Sequence, residues 1–218
     1  MARAAAGDGR PLDPERCGEL LNVSRETLER LSAYVSLLAR WNSRINLVGK
    51  RTLADVWRRH ILDSGQLLRY APERGPWVDL GSGAGLPGFV LAIMTSVEVH
   101  LVESDSRKCI FLREAARLTD TPVTIHNARI EAISADLAAL RPQLITARAL
   151  APVSRLLQLT EAIAVEETDW LLLKGRDVEV ELTDSAKSWI MDAIMHKSLS
   201  DPDGRVLHLR KVGRVKSD

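Results

Sequence analysis

The chain has 218 residues, of which 45% are hydrophobic and 27% are charged, a composition typical of a globular protein and not of a disordered one. Its formal net charge is only +1, so overall charge gives no sign of nucleic-acid binding, although residues 1–76 and 205–218 are basic and residues 77–204 are acidic. Two cysteines offer neither a disulfide framework nor a metal site, and without an apolar run of transmembrane length or a signal core we expect a cytoplasmic protein.

The first part of the chain predicts helices. We expect residues 1–10 to be disordered and residues 11–76 to form a helical N-terminal subdomain. Ser24 is placed to cap the second helix, and a third helix is predicted to start at Thr52, with Asp55 completing a short capping box. Apolar residues recur at helical spacing in both helices, at Leu28, Leu31, Val35, Leu38 and Trp41, and at Leu53, Val56, Trp57, Ile61 and Leu68.

From Trp77 onward, short β-rich runs alternate with helical patterns. The runs are "WVDL", "VEVHLVE", "PVTIHN", "QLITARA" and "DWLLLKG", and two more strands, "IMHKSL" and "GRVLHLRKV", end the chain. The helical patterns cover 88–95, 107–118, 130–139, 153–164 and 177–192. This alternation predicts an α/β domain over residues 77–218, with a Rossmann-like, mostly parallel seven-stranded sheet and helices on both faces.

The stretch "VDLGSGAGLPG" (residues 78–88) follows the first predicted strand and contains four glycines. Ligands of open α/β sheets bind beyond the carboxyl ends of the strands, where glycine lets the backbone turn sharply and approach a ligand closely. Glu103 ends the second strand, and a carboxylate at that place suits the hydroxyls of a ribose. We therefore expect a nucleotide-like ligand at this loop, the alternative being a glycine-rich turn without one.

Two classes of cofactor fit such a loop. Gly83, Gly85 and Gly88 match the dinucleotide pattern G-x-G-x-x-G, but late in register, and Pro87 lacks an amide that a pyrophosphate would use. S-adenosylmethionine (SAM) has no phosphate and is cationic, so the acid Asp79 favours it. "DLGSGAG" is similar to the first motif of class I SAM-dependent methyltransferases, and an NAD(P)-dependent oxidoreductase stays as the alternative.

From about Tyr34 to Val212 the chain resembles one family, the bacterial RsmG (GidB) methyltransferases, which modify N7 of a guanine in 16S rRNA. The stretches that carry the resemblance are "WNSRINLVGKR", "RHILDS", "VDLGSGAGLPG", "ESDSRKCIFLRE", "NARIE", "TARAL" and "LLLKG". The resemblance implies a class I methyltransferase fold, with residues 77–218 as the SAM-binding domain. Residues implied by the family, by the loop motif or by fold analogy to bind the cofactor are Asp79, Gly81, Gly83, Leu86, Glu103, Ile130, Glu131 and Arg148.

No catalytic base is expected, because N7 of guanine carries a lone pair and no proton. Catalysis would rest on positioning of N7 against the methyl group. After the fourth strand, "LITARALAP" contains neither the motif of exocyclic-amine methyltransferases nor a cysteine nucleophile. The candidate substrate-site residues are Arg148, Lys174 and His60, and each has an ordinary structural alternative: a salt bridge at a strand end, a solvated lysine, and a buried pair with Asp63.

The expected partner is the 16S rRNA of the small ribosomal subunit, bound by a monomer that has no membrane partner. Residues 40–59 hold six basic side chains against one acid, and such a patch would bind phosphates. Trp41 and Trp57 either stack on bases or pack in the core, and "LRKVGRVK" is either an RNA-facing edge or a solubilising tail. Glu131 either belongs to the cofactor site or opens a helix that Asn127 caps. A non-catalytic RNA-binding protein on this fold is a further alternative.

Overall fold

The computed structural model describes residues 10–215. The disorder predicted for residues 1–10 therefore lies outside the described residues, apart from Arg10. The described chain begins with α1 (Pro14–Leu21), α2 (Arg25–Asn42) and α3 (Lys50–Leu53), then a π-helix (Trp57–Leu62), α4 (Asp63–Gly65) and a 3-10 turn (Gln66–Arg69). Ser24 caps α2 as predicted, because its hydroxyl accepts the amide of Thr27 at 3.2 Å.

The third helix differs from the prediction in its start and its continuity. It begins at Lys50 after the N-cap Gly49, and not at Thr52. The Thr52 hydroxyl donates to the carbonyl of Gly49 and therefore does not cap the helix. Asp55 accepts the amide of Leu12 and pairs with Arg58 instead of completing a capping box. The widened π-turn at Trp57–Leu62 then interrupts the regular α-helical spacing.

The predicted seven-stranded, mostly parallel sheet is confirmed. Its order is β3-β2-β1-β4-β5-β7-β6, in which β7 runs antiparallel to both neighbours and every other pair is parallel. The strands are β1 (Trp77–Leu80), β2 (Val99–Glu103), β3 (Thr124–Asn127), β4 (Leu144–Arg148), β5 (Asp169–Lys174), β6 (Trp189–Lys197) and β7 (Arg205–Arg214). The helices between them are α5 (Gly88–Met94), α6 (Ser106–Leu118), a 3-10 turn (Ile130–Ile133), α7 (Ser134–Ala139), α8 (Val153–Thr160) and α9 (Val178–Ser185).

The predicted helix over 177–192 is wrong in its second half. α9 ends at Ser185, and β6 already begins at Trp189, which pairs with Arg214 across the hairpin. An irregularity in register between Ile190 and Asp192 disturbs the two-residue alternation that marks a strand, which explains why the sequence pattern looked helical there.

Side chains of the central strands point alternately to the two faces of the sheet, and each face carries one hydrophobic cluster. The helices of the N-terminal segment belong to the first cluster, where the Tyr34 ring lies 5.3 Å from that of Phe89 and 6.2 Å from that of Phe111. Trp41 packs edge-on against Phe111, and Trp57 is buried. Of the two alternatives, stacking on bases or packing in the core, the structure therefore shows core packing for both tryptophans. Within residues 10–215, no helix combines the length and the apolarity needed to cross a membrane.

Candidate active site

The glycine loop after β1 divides into a part that lies open to a cavity and a part that is packed. Gly81 and Gly83 have φ of +63° and +57° and line the cavity. Gly85 and Gly88 lie inside the fold, where a side chain at Gly85 would meet Phe89 and one at Gly88 would meet the side chain of Asp79. Gly85, the second glycine of the G-x-G-x-x-G trio, therefore serves internal packing, whereas a dinucleotide motif would place it against the pyrophosphate.

We call the cavity at the ends of β1, β2 and β3 the loop cavity; its volume is about 470 Å³. Glu103 is held at its edge, with Oε2 accepting the amide of Gly83 at 2.8 Å and Oε1 accepting that of Asp105 at 2.7 Å. Six of the residues predicted to bind the cofactor line it, namely Gly81, Gly83, Glu103, Ile130, Glu131 and Arg148.

The two other predicted cofactor residues lie behind the loop. Leu86 is 4% exposed and belongs to the hydrophobic core. Asp79 is 1% exposed, and its Oδ1 accepts the hydroxyl of Thr146 at 2.6 Å. Burial raises the pKa of the Asp79 carboxyl to about 6. Its contact with Thr146 places it within the sheet, behind the loop.

The start of the 3-10 turn at Ile130 forms the far wall of the loop cavity. Its N-cap is Arg129, which makes no side-chain cap, so Asn127 does not provide the cap of the helix-start alternative. The Asn127 amide instead donates to the carbonyls of Glu103 and Ser104, and it thereby ties the end of β3 to that of β2. Glu131 lies 3.4 Å from Arg155 at the rim.

A second cavity of about 810 Å³ lies beyond the ends of β4 and β5, and we call it the strand-end cavity. The three predicted substrate-site residues, Arg148, Lys174 and His60, all line it. It shares residues 148–151 with the loop cavity, so this short segment borders both cavities. Ligands bound in the two cavities would therefore lie next to each other at this segment.

Arg148 is held by the π-helix, and it lines both cavities. Its Nη1 donates to Nδ1 of His60 at 2.9 Å and to the carbonyl of Arg59 at 3.3 Å, and it lies 3.6 Å from Oδ2 of Asp63. Because Nδ1 of His60 accepts, Nε2 carries the proton and donates to the Thr52 hydroxyl at 3.0 Å. Burial and the nearby charges of Arg148 and Arg59 lower the pKa of His60 to about 3, so the imidazole is neutral. The salt-bridge alternative for Arg148 is thus present, and because the residue also lines both cavities, its role in binding stays a prediction.

Lys174 is partly buried and forms two hydrogen bonds within the protein. Its Nζ donates to the carbonyl of Ala151 at 2.8 Å and to Glu181 at 2.7 Å, and its side chain is 10% exposed. The solvated-lysine alternative is therefore wrong. Through its hydrogen bond to the Ala151 carbonyl, Lys174 holds the segment that borders both cavities.

Each cation of the strand-end cavity is matched by an acid. The pairs are Arg59 with Asp201, Arg148 with Asp63, Lys174 with Glu181, and Arg176 with Asp203; Asp177 adds a further acid to the lining. Such a cavity does not oppose a positive charge that develops on a bound ring. Arg59, Asp63 and Asp201 form one wall that no sequence motif predicts, because Asp201 is distant in the chain from the other two; the turn "DPDG" marks only the position of Asp201. No cluster that would bind a metal occurs among residues 10–215.

Most of the basic residues predicted to meet RNA are committed to ion pairs. Arg58 pairs with Asp55, and the C-terminal strand pairs Arg210 with Asp169, Lys211 with Asp192 and Arg214 with Glu161. The paired part of "LRKVGRVK" thus belongs to β7, an interior strand held between β5 and β6, and is not a solvated tail. Within residues 10–215, ion pairs are lacking at Arg40, Arg44, Lys50 and Arg51, which we call the free basic patch.

Comparisons with known proteins agree on one family. The model of the family described as rRNA small subunit methyltransferase G (GidB) matches residues 27–209. The Ribosomal RNA small subunit methyltransferase G of Paramagnetospirillum magneticum is 54% identical over 206 residues, covering 93% of this chain and 98% of that protein. The protein of the same name from Rhodospirillum rubrum is 46% identical over 205 residues, covering 94% of this chain and 100% of the other.

Solved structures share the fold at low identity. A methyltransferase from Geobacter sulfurreducens has a TM-score of 0.53 at 14% identity, covering 94% of this chain and 99% of the other. A mutant of MtNAS in complex with S-adenosylmethionine has a TM-score of 0.55 at 13% identity, covering 91% and 84%. Together with the strand order, these likenesses confirm the predicted class I methyltransferase fold.

Proposed function

Because this chain belongs to the rRNA small subunit methyltransferase G family and is therefore an rRNA methyltransferase, we propose that it transfers the methyl group of SAM to N7 of a guanine in 16S rRNA. The observation that carries the proposal is the pair of adjacent cavities that share residues 148–151. In the proposal, residues 77–218 bind SAM, residues 11–76 cover one side of the substrate site, and the protein acts as a cytoplasmic monomer on the small ribosomal subunit.

The residues of the loop cavity fit SAM. Its volume of about 470 Å³ lies within the range of small-molecule sites, and the backbone at Gly81 leaves room for close approach. Glu103 uses one lone pair of each carboxylate oxygen within the protein, which leaves acceptors for the ribose hydroxyls. Ile130 offers an apolar wall to the adenine. When bound, SAM supplies an electrophilic methyl group on a cationic sulfur.

The strand-end cavity then holds the guanine. His60 is neutral and both its ring nitrogens are occupied, so it removes no proton, and N7 needs none removed. Arg148 and Lys174 hold the segment 148–151, which borders both cavities. By holding this segment in place they position the base next to the methyl donor. Because each cation of the strand-end cavity is paired with an acid, no unpaired cation repels the positive charge that develops on the purine during methyl transfer.

The test is methyl transfer to small ribosomal subunits from a strain that lacks this modification. With labelled SAM and purified protein, nucleoside analysis should find the label in 7-methylguanosine. Label in another nucleoside would contradict the proposed position. A thermal-shift comparison separates the oxidoreductase alternative, since S-adenosylhomocysteine should raise the melting temperature and NADH should not. The same outcome would argue against a non-catalytic RNA-binding protein.

A further inference from the structure

The Arg59–Asp201 ion pair forms one end of the strand-end cavity. Arg59 Nη1 lies 2.5 Å from Oδ2 of Asp201, and the two residues are 142 positions apart in the chain. Asp201 belongs to the turn between β6 and β7, and both residues line the cavity. The π-helix and the hairpin turn therefore meet at this wall.

Arg59 connects two parts of the cavity lining. Its carbonyl accepts Nη1 of the Arg148 side chain, while its guanidinium binds Asp201. Asp201 and residues 148–151 therefore line the same cavity, joined through Arg59. A guanine bound there would be able to present N7 to residues 148–151 and its Watson–Crick edge to Asp201.

The Asp201 carboxylate is ionised and has acceptor capacity left. The hydrogen bond from Arg59 lowers its pKa, with a further contribution from the amide of Asp203. Oδ2 accepts from Arg59, and Oδ1 accepts the Asp203 amide at 2.9 Å. A carboxylate offers about four lone-pair sites, and although the amide of Gly204 also contributes to the lowered pKa, acceptor capacity remains for a ligand. The side chain is 29% exposed, which leaves it accessible from the cavity.

Resting on the proposed function, we propose that Asp201 determines base specificity: its carboxylate accepts N1–H and the 2-amino group of the target guanine while N7 faces residues 148–151. The guanine edge presents two adjacent donors, which match the acceptor oxygens of a carboxylate held by Arg59. Adenine would place its N1 acceptor against the carboxylate, and two unpaired acceptors facing each other exclude that base.

The same contact assists the transfer. The bond from N7 to the methyl carbon forms while the bond from that carbon to sulfur breaks, the electron pair stays on sulfur, and the proton stays on N1. As positive charge spreads over the purine, N1–H becomes a stronger donor, so its hydrogen bond to an anionic carboxylate strengthens toward the transition state. Asp201 is therefore expected to affect the rate as well as the choice of base.

The test is the variant Asp201→Asn on two kinds of small subunit, one assembled from rRNA with guanine at the methylated position and one with adenine there. The Asn amide can donate to adenine N1, whereas it opposes one guanine donor. We expect the rate on guanine to fall by about tenfold or more, and the guanine-to-adenine rate ratio to fall by at least as much. Affinity for S-adenosylhomocysteine, measured by calorimetry, should not change.

Controls keep the outcomes distinct. Asp192→Asn removes an exposed ion pair with Lys211 elsewhere on the same hairpin and should keep the wild-type rate ratio. Asp201→Glu keeps the acceptors and should keep the preference for guanine at a lower rate, which also covers the case that Asp201→Asn does not fold. An unchanged rate ratio in folded Asp201→Asn overturns the inference alone. Failure of the wild-type protein to methylate guanine in these subunits overturns the proposed function.

Discussion

Gly81 is the residue where the backbone must be left-handed beside the loop cavity. Its φ of +63° disfavours any side chain, and an added methyl group would approach Leu150 at 2.7 Å. A non-glycine residue in this region costs about 1–2 kcal/mol. We therefore predict that Gly81→Ala weakens binding of S-adenosylhomocysteine about tenfold, as measured by calorimetry.

The matched control for this change is Gly213→Ala. Gly213 lies in β7, and an added Cβ would have no atom within 4 Å. Its affinity for S-adenosylhomocysteine should equal that of the wild type. Wild-type affinity in a folded Gly81→Ala protein would remove Gly81 from the site.

His60 makes stability depend on pH. Its folded pKa of about 3 lies below the ordinary value of 6.5, so between these values the unfolded chain binds more protons and stability falls as the pH falls. We predict that His60→Gln flattens this part of the curve by up to about 1.4 kcal/mol per pH unit. The free energy of unfolding, measured from pH 4 to 6.5 in both proteins, checks it.

The comparison with the wild type is essential in that pH window. Asp79 has its pKa raised to about 6, so its folded form binds more protons than the unfolded chain down to about the ordinary value of 3.8, and its contribution to stability rises as the pH falls. Because Asp79 is present in both proteins, its effect cancels in the difference. Parallel curves for the two proteins would mean that His60 is not held neutral.

At the scale of elements, the loop after α2 depends on one side chain. Asn42 Oδ1 accepts the amides of Leu47 and Val48, each at 2.9 Å, and its Nδ2 donates to the Val48 carbonyl at 3.1 Å. These bonds close the turn that leads into α3 and the π-helix, which carries Arg59 and His60. The loop therefore positions one wall of the strand-end cavity.

We predict that Asn42→Ala lowers the free energy of unfolding by about 2 kcal/mol, because three partly buried hydrogen bonds are lost at about 0.5–1.5 kcal/mol each. Urea denaturation measures the change. Ser43→Ala, which loses one exposed bond to the Arg40 carbonyl, should stay within about 0.5 kcal/mol of the wild type. Equal effects of the two substitutions would deny Asn42 this role.

The sequence predicted elements well where local patterns decide them. The strands and the Ser24 cap follow from apolar runs and from capping chemistry, both of which are local. The π-helix and the start of β6 were missed. Residues in or next to these elements have partners distant in the chain: Asp55 accepts the amide of Leu12, and Trp189 pairs with Arg214. Long-range partners of this kind leave no periodic signal in the chain.

The site was predictable to the same extent. Gly81, Gly83 and Glu103 were found because a glycine loop and a strand end mark them in sequence, and the structure brings them to one cavity. Asp201 escaped notice because the hairpin turn reaches Arg59 only in the folded chain. Leu86 was expected at the cavity from resemblance alone, and the structure places its side chain in the core.

At the scale of the whole molecule, the free basic patch gives a prediction on RNA binding. Loss of Lys50 and Arg51 in a double alanine variant should reduce the salt dependence of binding to small subunits, lowering the slope of log K against log salt by about one per cation. Filter binding at salt concentrations between about 50 and 200 mM measures this slope. Over that range, the affinity of a protein that makes about 6–10 phosphate contacts falls strongly.

The control is Arg25→Ala, at the opposite end of α2, where the arginine is already paired with Glu29. Its slope should equal that of the wild type. If the double variant also keeps the wild-type slope, the free basic patch does not contact phosphates in the complex.

Tyr34 joins the two parts of the chain at a sensitive place. Its hydroxyl, buried within the first hydrophobic cluster, donates to the carbonyl of Ala84 at 2.6 Å, and Ala84 lies inside the glycine loop. The shape of that loop therefore depends on a helix that precedes the sheet in the chain. Separate expression of residues 77–218 would leave this carbonyl and the faces of Phe89 and Phe111 exposed to water, so we expect the two segments to fold as one unit.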